Sequence, residues 1–192
     1  MQYSEKEYLD ARHGVDPGLR EGEDLTSYNN EIITNHNQEL IESYPWLSDN
    51  IVWNEDETFS INYEKEDFTW TWLDAMEDGW RLAFGLNLCY DLKQELKKYN
   101  YNNKYYISEI KEKYGVLCWY DGGYPSDSEV ENIIDKYEEL SKHFCMDCGN
   151  PTEWTLDDSY WIYYYCDDCK KKLEADNPSI KFVRMNEKDQ DV

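Results

Sequence analysis

Cys145-Met-Asp-Cys148-Gly-Asn-Pro151, followed after Cys148 by seventeen residues and then by Cys166-Asp-Asp-Cys169, is the stretch from which the rest of the chain is read. Two C-x2-C pairs at this spacing supply four soft ligands once the intervening segment folds back, which is the requirement of a tetrahedral structural zinc site. Gly149, Asn150 and Pro151 are turn formers that let backbone N–H groups point at the first pair of sulfurs. An all-cysteine set leaves no coordination position for water, so the expected Zn2+ is structural and not catalytic.

Working outward, 192 residues suffice for one hydrophobic core plus a small metal-held module, without disulfides. The two remaining cysteines, Cys89 and Cys118, stand singly in apolar surroundings and read as unpaired thiols, a pattern of a reducing compartment. Residues 1–10 lack the basic start and apolar run of a secretory signal, and no segment approaches the roughly 18 apolar residues of a membrane span. A cytoplasmic setting is expected. Charge is strongly one-sided, with 19 basic against 42 acidic residues and a net charge of -23. Residues 1–78 hold 20 of those acids and only Lys6, Arg12, Arg20 and Lys65 as bases. Such a surface repels phosphate backbones and attracts cationic proteins, so direct nucleic-acid binding is disfavoured.

The hydrophobic pattern predicts an α+β fold in which an antiparallel sheet packs against helices, closed by a small C-terminal zinc ribbon. Residues 1–24 read as a flexible acidic arm or a short helix, 25–143 as the core domain, 144–173 as the ribbon and 174–192 as a mobile tail. Helical spacing of Ile32, Ile33, Leu40 and Ile41 predicts a helix over 26–43, ended by Pro45, with Trp46 and Leu47 plugging the core. Alternation of Trp53, Phe59, Ile61, Tyr63, Phe68 and Trp70 predicts strands between 51 and 72 with an acidic outer face. Trp80, Phe84, Leu88, Leu92, Leu96 and Tyr99 form the stripe of a long helix. Two runs, 105–110 and 116–120, predict a hairpin across Gly115. Ser126 and Glu129 read as a capping box for a helix that delivers the chain to Cys145.

The run IKEKYGVLCWY (Ile110–Tyr120), the helix after it, Ser141 ahead of the CxxCGNP knuckle and the closing CxxC resemble a group of uncharacterised phage and prophage proteins. In that group a segment close to IKEKFGxLRFY precedes a helix and a zinc-ribbon end. Tyr44–Leu47 (YPWL) and the Gly79-Trp80 helix start also match, so the likeness covers roughly residues 40–173. Cys118 and Trp119 replace the group's usual Arg and Phe, and Cys169 stands where His is frequent. The resemblance implies origin and architecture, and no reaction.

None of His13, His36 and His143 sits in a nucleophile or metal motif, and no glycine-rich phosphate loop occurs. The expectation is a non-enzymatic protein. Its 18 tyrosines and 8 tryptophans exceed what one such core readily buries, and these residues anchor protein interfaces. Acids around aromatic anchors suit a basic partner: a host protein or nucleoprotein complex, with a CRISPR nuclease as one instance, blocked by a DNA mimic. The acids expected to stand in for phosphate are Glu55, Asp56, Glu57, Glu64, Glu66, Asp67, Asp74, Glu77 and Asp78. A zinc-ribbon adaptor in a phage complex is the alternative, and a metal-dependent hydrolase using pairs such as Asp157/Asp158 or Asp167/Asp168 a third reading.

Overall fold

The computed structural model describes residues 1–20, 23–65, 67–156 and 162–185. It is an α+β protein of helices and small antiparallel sheets, with the four paired cysteines clustered near its C-terminal end. The chain forms two compact units. Unit 1 comprises Met1–Asp74, Lys93–Ser108 and Asp121–Ser128; unit 2 comprises Ala75–Leu92, Glu109–Tyr120 and Glu129–Val192. This interleaved division differs from the consecutive domains that the sequence suggested.

In unit 1, α1 (Glu5–Arg12) begins with a complete capping box between Ser4 and Glu7 and packs on α2 (Leu25–Ser43). Tyr8, Leu9 and Ala11 are buried, so the N-terminal segment is a docked helix and not a flexible arm. Polar contacts fix it in place. The His36 ring, fully buried, meets the Glu5 carboxylate at 2.7 Å through Nε2 and stacks on Tyr8 at 4.7 Å. Tyr8 donates its hydroxyl to Asp74 at 2.7 Å, and Arg12 pairs with the same carboxylate. Pro45 opens a short 3-10 turn after α2, and Trp46 and Leu47 fill the core, Trp46 edge-on to Tyr105.

The strand region is shorter than its alternation suggests. Only β1 (Ile51–Trp53) and β2 (Phe59–Ile61) pair, and residues 67–70 lie outside any strand. Aspartate turns account for this: Asp56 accepts from the backbone and hydroxyl of Thr58, and Asp67 does the same for Thr69. Such side-chain bonds compete with a sheet ladder.

The long helix is composite, running from α3 (Asp78–Trp80) through a π turn (Arg81–Gly85) into α4 (Leu86–Tyr99). Its stripe residues Trp80, Phe84, Leu88, Leu92 and Leu96 are buried. β3 (Tyr106–Lys113) and β4 (Val116–Gly122) form the expected hairpin. Tyr114 and Gly115 connect them with φ of 56° and 77°, the two positive values that a tight primed turn requires.

In unit 2, α5 (Val130–Ser141) turns Val130, Ile134 and Tyr137 inward. Its first turn corrects the expected capping box, because Glu129 is the N-cap residue without a side-chain cap, and the Ser128 hydroxyl bonds Pro125. Ser141 and Glu138 instead face β4: the Ser141 hydroxyl accepts from the Leu117 amide at 3.0 Å, and the Glu138 carboxylate from the Trp119 amide at 2.8 Å. Two residues three apart on a helix thereby satisfy two outward strand amides two apart. The ribbon sheet has the order β6-β5-β7, with β5 (Trp154–Leu156) between β6 (Tyr164–Tyr165) and β7 (Phe182–Arg184). A ten-residue helix, α6 (Asp167–Asp176), starts at the second cysteine pair and runs past residue 173, and β7 lies within the expected mobile tail. The C-terminal module therefore extends beyond residue 173.

Asp74 ties α1 to the rest of unit 1, and its side chain is 1% exposed. Asp74→Ala removes the acceptor of Arg12, Tyr8 and Thr71 together. The expected cost is about 2–4 kcal/mol, read as a lower urea midpoint of the intact protein, with amide exchange quickening first in α1.

Candidate metal centre and acidic surface

The first knuckle is built by backbone bonds. The Cys145 amide donates to the Asn150 carbonyl at 2.7 Å, Gly149 donates back to the Cys145 carbonyl at 2.9 Å, and the Met146 amide reaches Tyr164 of β6 at 3.1 Å. Gly149, at φ 73°, makes the reversal possible. The start of the long helix grips this loop. Gly79 donates to the Met146 carbonyl at 2.7 Å, and a Cβ at Gly79 would lie 2.0 Å from the Cys145 carbonyl oxygen. Trp80 adds an indole bond to the Phe144 carbonyl at 3.3 Å. The Gly-Trp helix start is thus explained by the knuckle packed on it.

The second pair sits at a helix start, with Cys166 as the N-cap of α6 and Cys169 in its first turn. The four sulfurs lie within 4.8 Å of one another, and Cys148 and Cys166 approach to 3.5 Å. Tetrahedral Zn–S bonds of about 2.3 Å separate sulfurs by roughly 3.8 Å. The cluster is therefore close enough to form a zinc-binding site, and none of the four cysteines is in a disulfide.

Electrostatics agree with a centre that awaits a cation. Burial pushes the Cys145 thiol up to about 11, against amide bonds from Cys166, Cys148 and Asp147 that favour its thiolate. Burial also raises Cys169, together with its bonds to neighbouring thiols and the charge of Cys145. At Cys166 burial acts upward too, but the amides of Cys169 and Asp168 outweigh it and hold the thiol below its ordinary value. Donor bonds aimed at crowded sulfurs with one thiol already depressed suit a divalent ion that displaces the remaining protons.

His143 is not part of the cluster, and Cys89 is buried and in no disulfide. Cys118 is half-buried and also in no disulfide. Of the candidate divalent pairs, Asp167 accepts the Trp154 indole N–H at 2.5 Å, and Asp157 and Asp158 lie outside the described residues.

The acids expected to replace phosphate divide into distinct groups. Glu55, Asp56 and Glu57 form the exposed turn between β1 and β2, and Glu64 and Asp67 are exposed in the same unit. Glu66 lies outside the described residues. Asp74 is corrected out of the set, because its buried carboxylate is committed to Arg12, Tyr8 and Thr71. Glu77 and Asp78 are half-buried and belong to unit 2. The alternating pattern assigns Trp53 and Tyr63 to a buried face and so misses them as surface residues, yet they are 48% and 59% exposed, Trp53 next to the acidic turn and Tyr63 at the other end of the β1–β2 pair.

Among the described residues no helix is long and apolar enough to cross a membrane. Comparison with known protein families, curated proteins and solved structures returns no match.

Burial, then the charges of Glu112, Asp78 and Asp147, raise the pKa of Glu77. The folded state holds that proton more tightly than the unfolded chain, so this group's contribution to stability grows as pH falls through the carboxyl range. Glu77→Gln should stabilise the protein at neutral pH, with the gain over the parent shrinking as pH falls, as followed by thermal unfolding between pH 4 and 7.

Proposed function

We propose that this chain is a non-enzymatic binding protein of phage or prophage origin. It inhibits a host defence or nucleic-acid-handling complex, of which a CRISPR nuclease is the leading case, by occupying a basic nucleic-acid groove as a DNA mimic. The metal is zinc, held by Cys145, Cys148, Cys166 and Cys169, and its role is structural; when bound it neutralises thiolate charge and fixes the fold of the C-terminal module. The working compartment is the bacterial cytoplasm, in keeping with six cysteines none of which is in a disulfide.

The observation that carries the reading is the exposed turn Glu55-Asp56-Glu57 with half-exposed Trp53 at its base. Carboxylates in solvent attract a cationic surface over about a Debye length, roughly 8 Å at physiological salt. An aromatic beside them supplies the contact that charge alone does not, including a face for an arginine guanidinium. Duplex DNA presents one negative charge per about 1.7 Å of axis, a spacing that clustered acids can imitate. The phage resemblance of residues 40–173 supports the same setting.

An adaptor reading has its own support in unit 2, where Tyr114, Tyr120, Ile162 and Val183 are exposed apolar residues. The two readings separate by mutation. Asp56 and Asp67 hold turns through Thr58 and Thr69, so the informative changes are Glu55→Lys, Glu57→Lys and Glu64→Lys, whose carboxylates take no part in those turn bonds. Combined, they should weaken inhibition of a CRISPR effector's DNA binding at least tenfold, with zinc content and circular dichroism unchanged. Unaltered inhibition refutes mimicry, and loss of a partner by Tyr114→Ser with Ile162→Ser points to the adaptor.

The metal assignment is checked separately. Elemental analysis should find one zinc per chain, and Cys169→Ser should lower zinc affinity at least a hundredfold. Affinity should also rise with pH between 6 and 8, because binding displaces thiol protons, Cys145 and Cys169 being raised by burial.

A further inference from the structure

The register of the β1–β2 pair fixes which backbone groups face outward. Ile51 pairs with Ile61, Val52 with Ser60 and Trp53 with Phe59. Beyond the strand ends, the Asn62 amide donates to the Asn50 carbonyl at 2.9 Å and the Asn54 amide to the Thr58 carbonyl at 2.7 Å. Antiparallel ladders alternate, so positions 50, 52 and 54 bond inward to β2, while Ile51 and Trp53 direct their N–H and C=O groups away from it. On the far side of β2, the outward Phe59 amide is taken by the Asn103 carbonyl at 2.7 Å. No corresponding partner meets the outward groups of Ile51 or Trp53 among the described residues.

The β4 edge is treated differently, its Leu117 and Trp119 amides being filled by Ser141 and Glu138. Open edges invite pairing with another chain, and charge is a usual defence against the wrong one. Here the guard is acidic: Glu55, Asp56 and Glu57 stand at one end of the β1 edge. A second copy of this chain, at net charge -23, is repelled from such an edge. A strand bearing Lys or Arg is drawn to it. Val52 and Trp53 are 47% and 48% exposed on the two faces of the strand, giving an added strand an apolar contact on each side. Trp53 has its ring edge-on to Phe59 and Tyr106, which holds it in place for an arriving cation.

We propose that β1 is a docking edge for an extended, Lys/Arg-bearing segment of the partner protein, which adds as a strand against Ile51 and Trp53 beside the acidic turn. This rests on the reading of the partner as basic, and deepens it: the contact is strand addition, in which backbone bonds give affinity and alternate side chains give selectivity.

The test uses the full-length zinc-loaded protein and three blocked peptides at low salt: one alternating Arg and Val, one with alternate Val changed to Pro, and one with Glu in place of Arg. The Arg-Val peptide should slow amide exchange at Ile51 and Trp53 at least tenfold and shift Trp53 fluorescence. The Pro and Glu peptides should bind at least tenfold more weakly. Ile51→Pro, placed at the first residue of the strand with its N–H facing outward, should abolish the effect while leaving the inward bonds to β2. Equal binding of the Pro peptide, equal binding of the Glu peptide, or unprotected amides at Ile51 and Trp53 would each overturn strand addition. Because nuclease inhibition is read separately, charge reversal that spares inhibition removes the mimic while strand addition stands, and unprotected amides beside charge-sensitive inhibition do the converse.

Discussion

Four sulfurs confined within 4.8 Å of one another set the terms for the C-terminal module. Without a cation, crowded thiols must keep their protons, and burial holds Cys145 and Cys169 in that state. With one, the same amides that already favour thiolate at Cys166 have their full charge to bind. The module offers little hydrophobic burial of its own: β5, β6 and β7 are two or three residues each, and their side chains are half-buried or exposed. A sheet this small is marginal by itself, and metal coordination is the term of sufficient size to fix it. The knuckle in turn dictates Gly79, since any larger residue would drive a Cβ into the Cys145 carbonyl. Cysteine cluster, knuckle and helix start form one chain of dependence.

Unit 1 meets a different constraint, that of folding an acidic segment. It does so by using part of its acids as structural acceptors. Glu7 caps α1, Asp24 caps α2, Glu5 receives His36, and Asp74 collects Arg12, Tyr8 and Thr71. Asp56 and Asp67 close turns. Of these, Asp74 is withdrawn from solvent while Glu7, Asp24, Asp56 and Asp67 stay exposed, and the turn between β1 and β2 concentrates exposed acids. The division into units also changes the charge count, because residues 93–108 contribute Lys93, Lys97, Lys98 and Lys104 to unit 1. Unit 1 then has 21 acids and 8 bases, and unit 2 has 21 acids and 11 bases, so both are anionic.

The elements legible in the sequence were those with one dominant signal. The cysteine spacing gave the cluster, the three-to-four residue stripe from Trp80 gave the long helix, and Pro45 gave the end of α2. What escaped was decided by contacts between distant residues. α1 is too short for a convincing stripe, and its docking depends on His36 and Asp74, far along the chain. The alternation from Tyr63 to Trp70 looked like strand, but Asp67 bonding Thr69 turned the backbone aside. β7 lay in a polar tail whose pattern is silent until β5 offers it an edge. The Ser126 and Glu129 box had the right spacing, yet Ser128 bonded Pro125 and the helix began at Val130. Ser4 and Glu7 formed the box that was not anticipated.

Charge on both units means that attraction to a cationic partner is a property of the whole chain, and cannot by itself choose where that partner lands. Selection has to come from short-range features that few places possess. An unpaired strand edge imposes backbone pairing, and a register slip of one residue exchanges the two faces of the added strand. At β1 that edge coincides with a held tryptophan and with the densest exposed run of acids in unit 1. Long-range electrostatics would raise the encounter rate, while backbone pairing and the Trp53 face would determine the lifetime of the complex. The same division accounts for the contrast with β4, whose outward amides are consumed internally by Ser141 and Glu138. Closing the β4 edge and placing acids beside the β1 edge makes the two unequal as targets for a cationic strand.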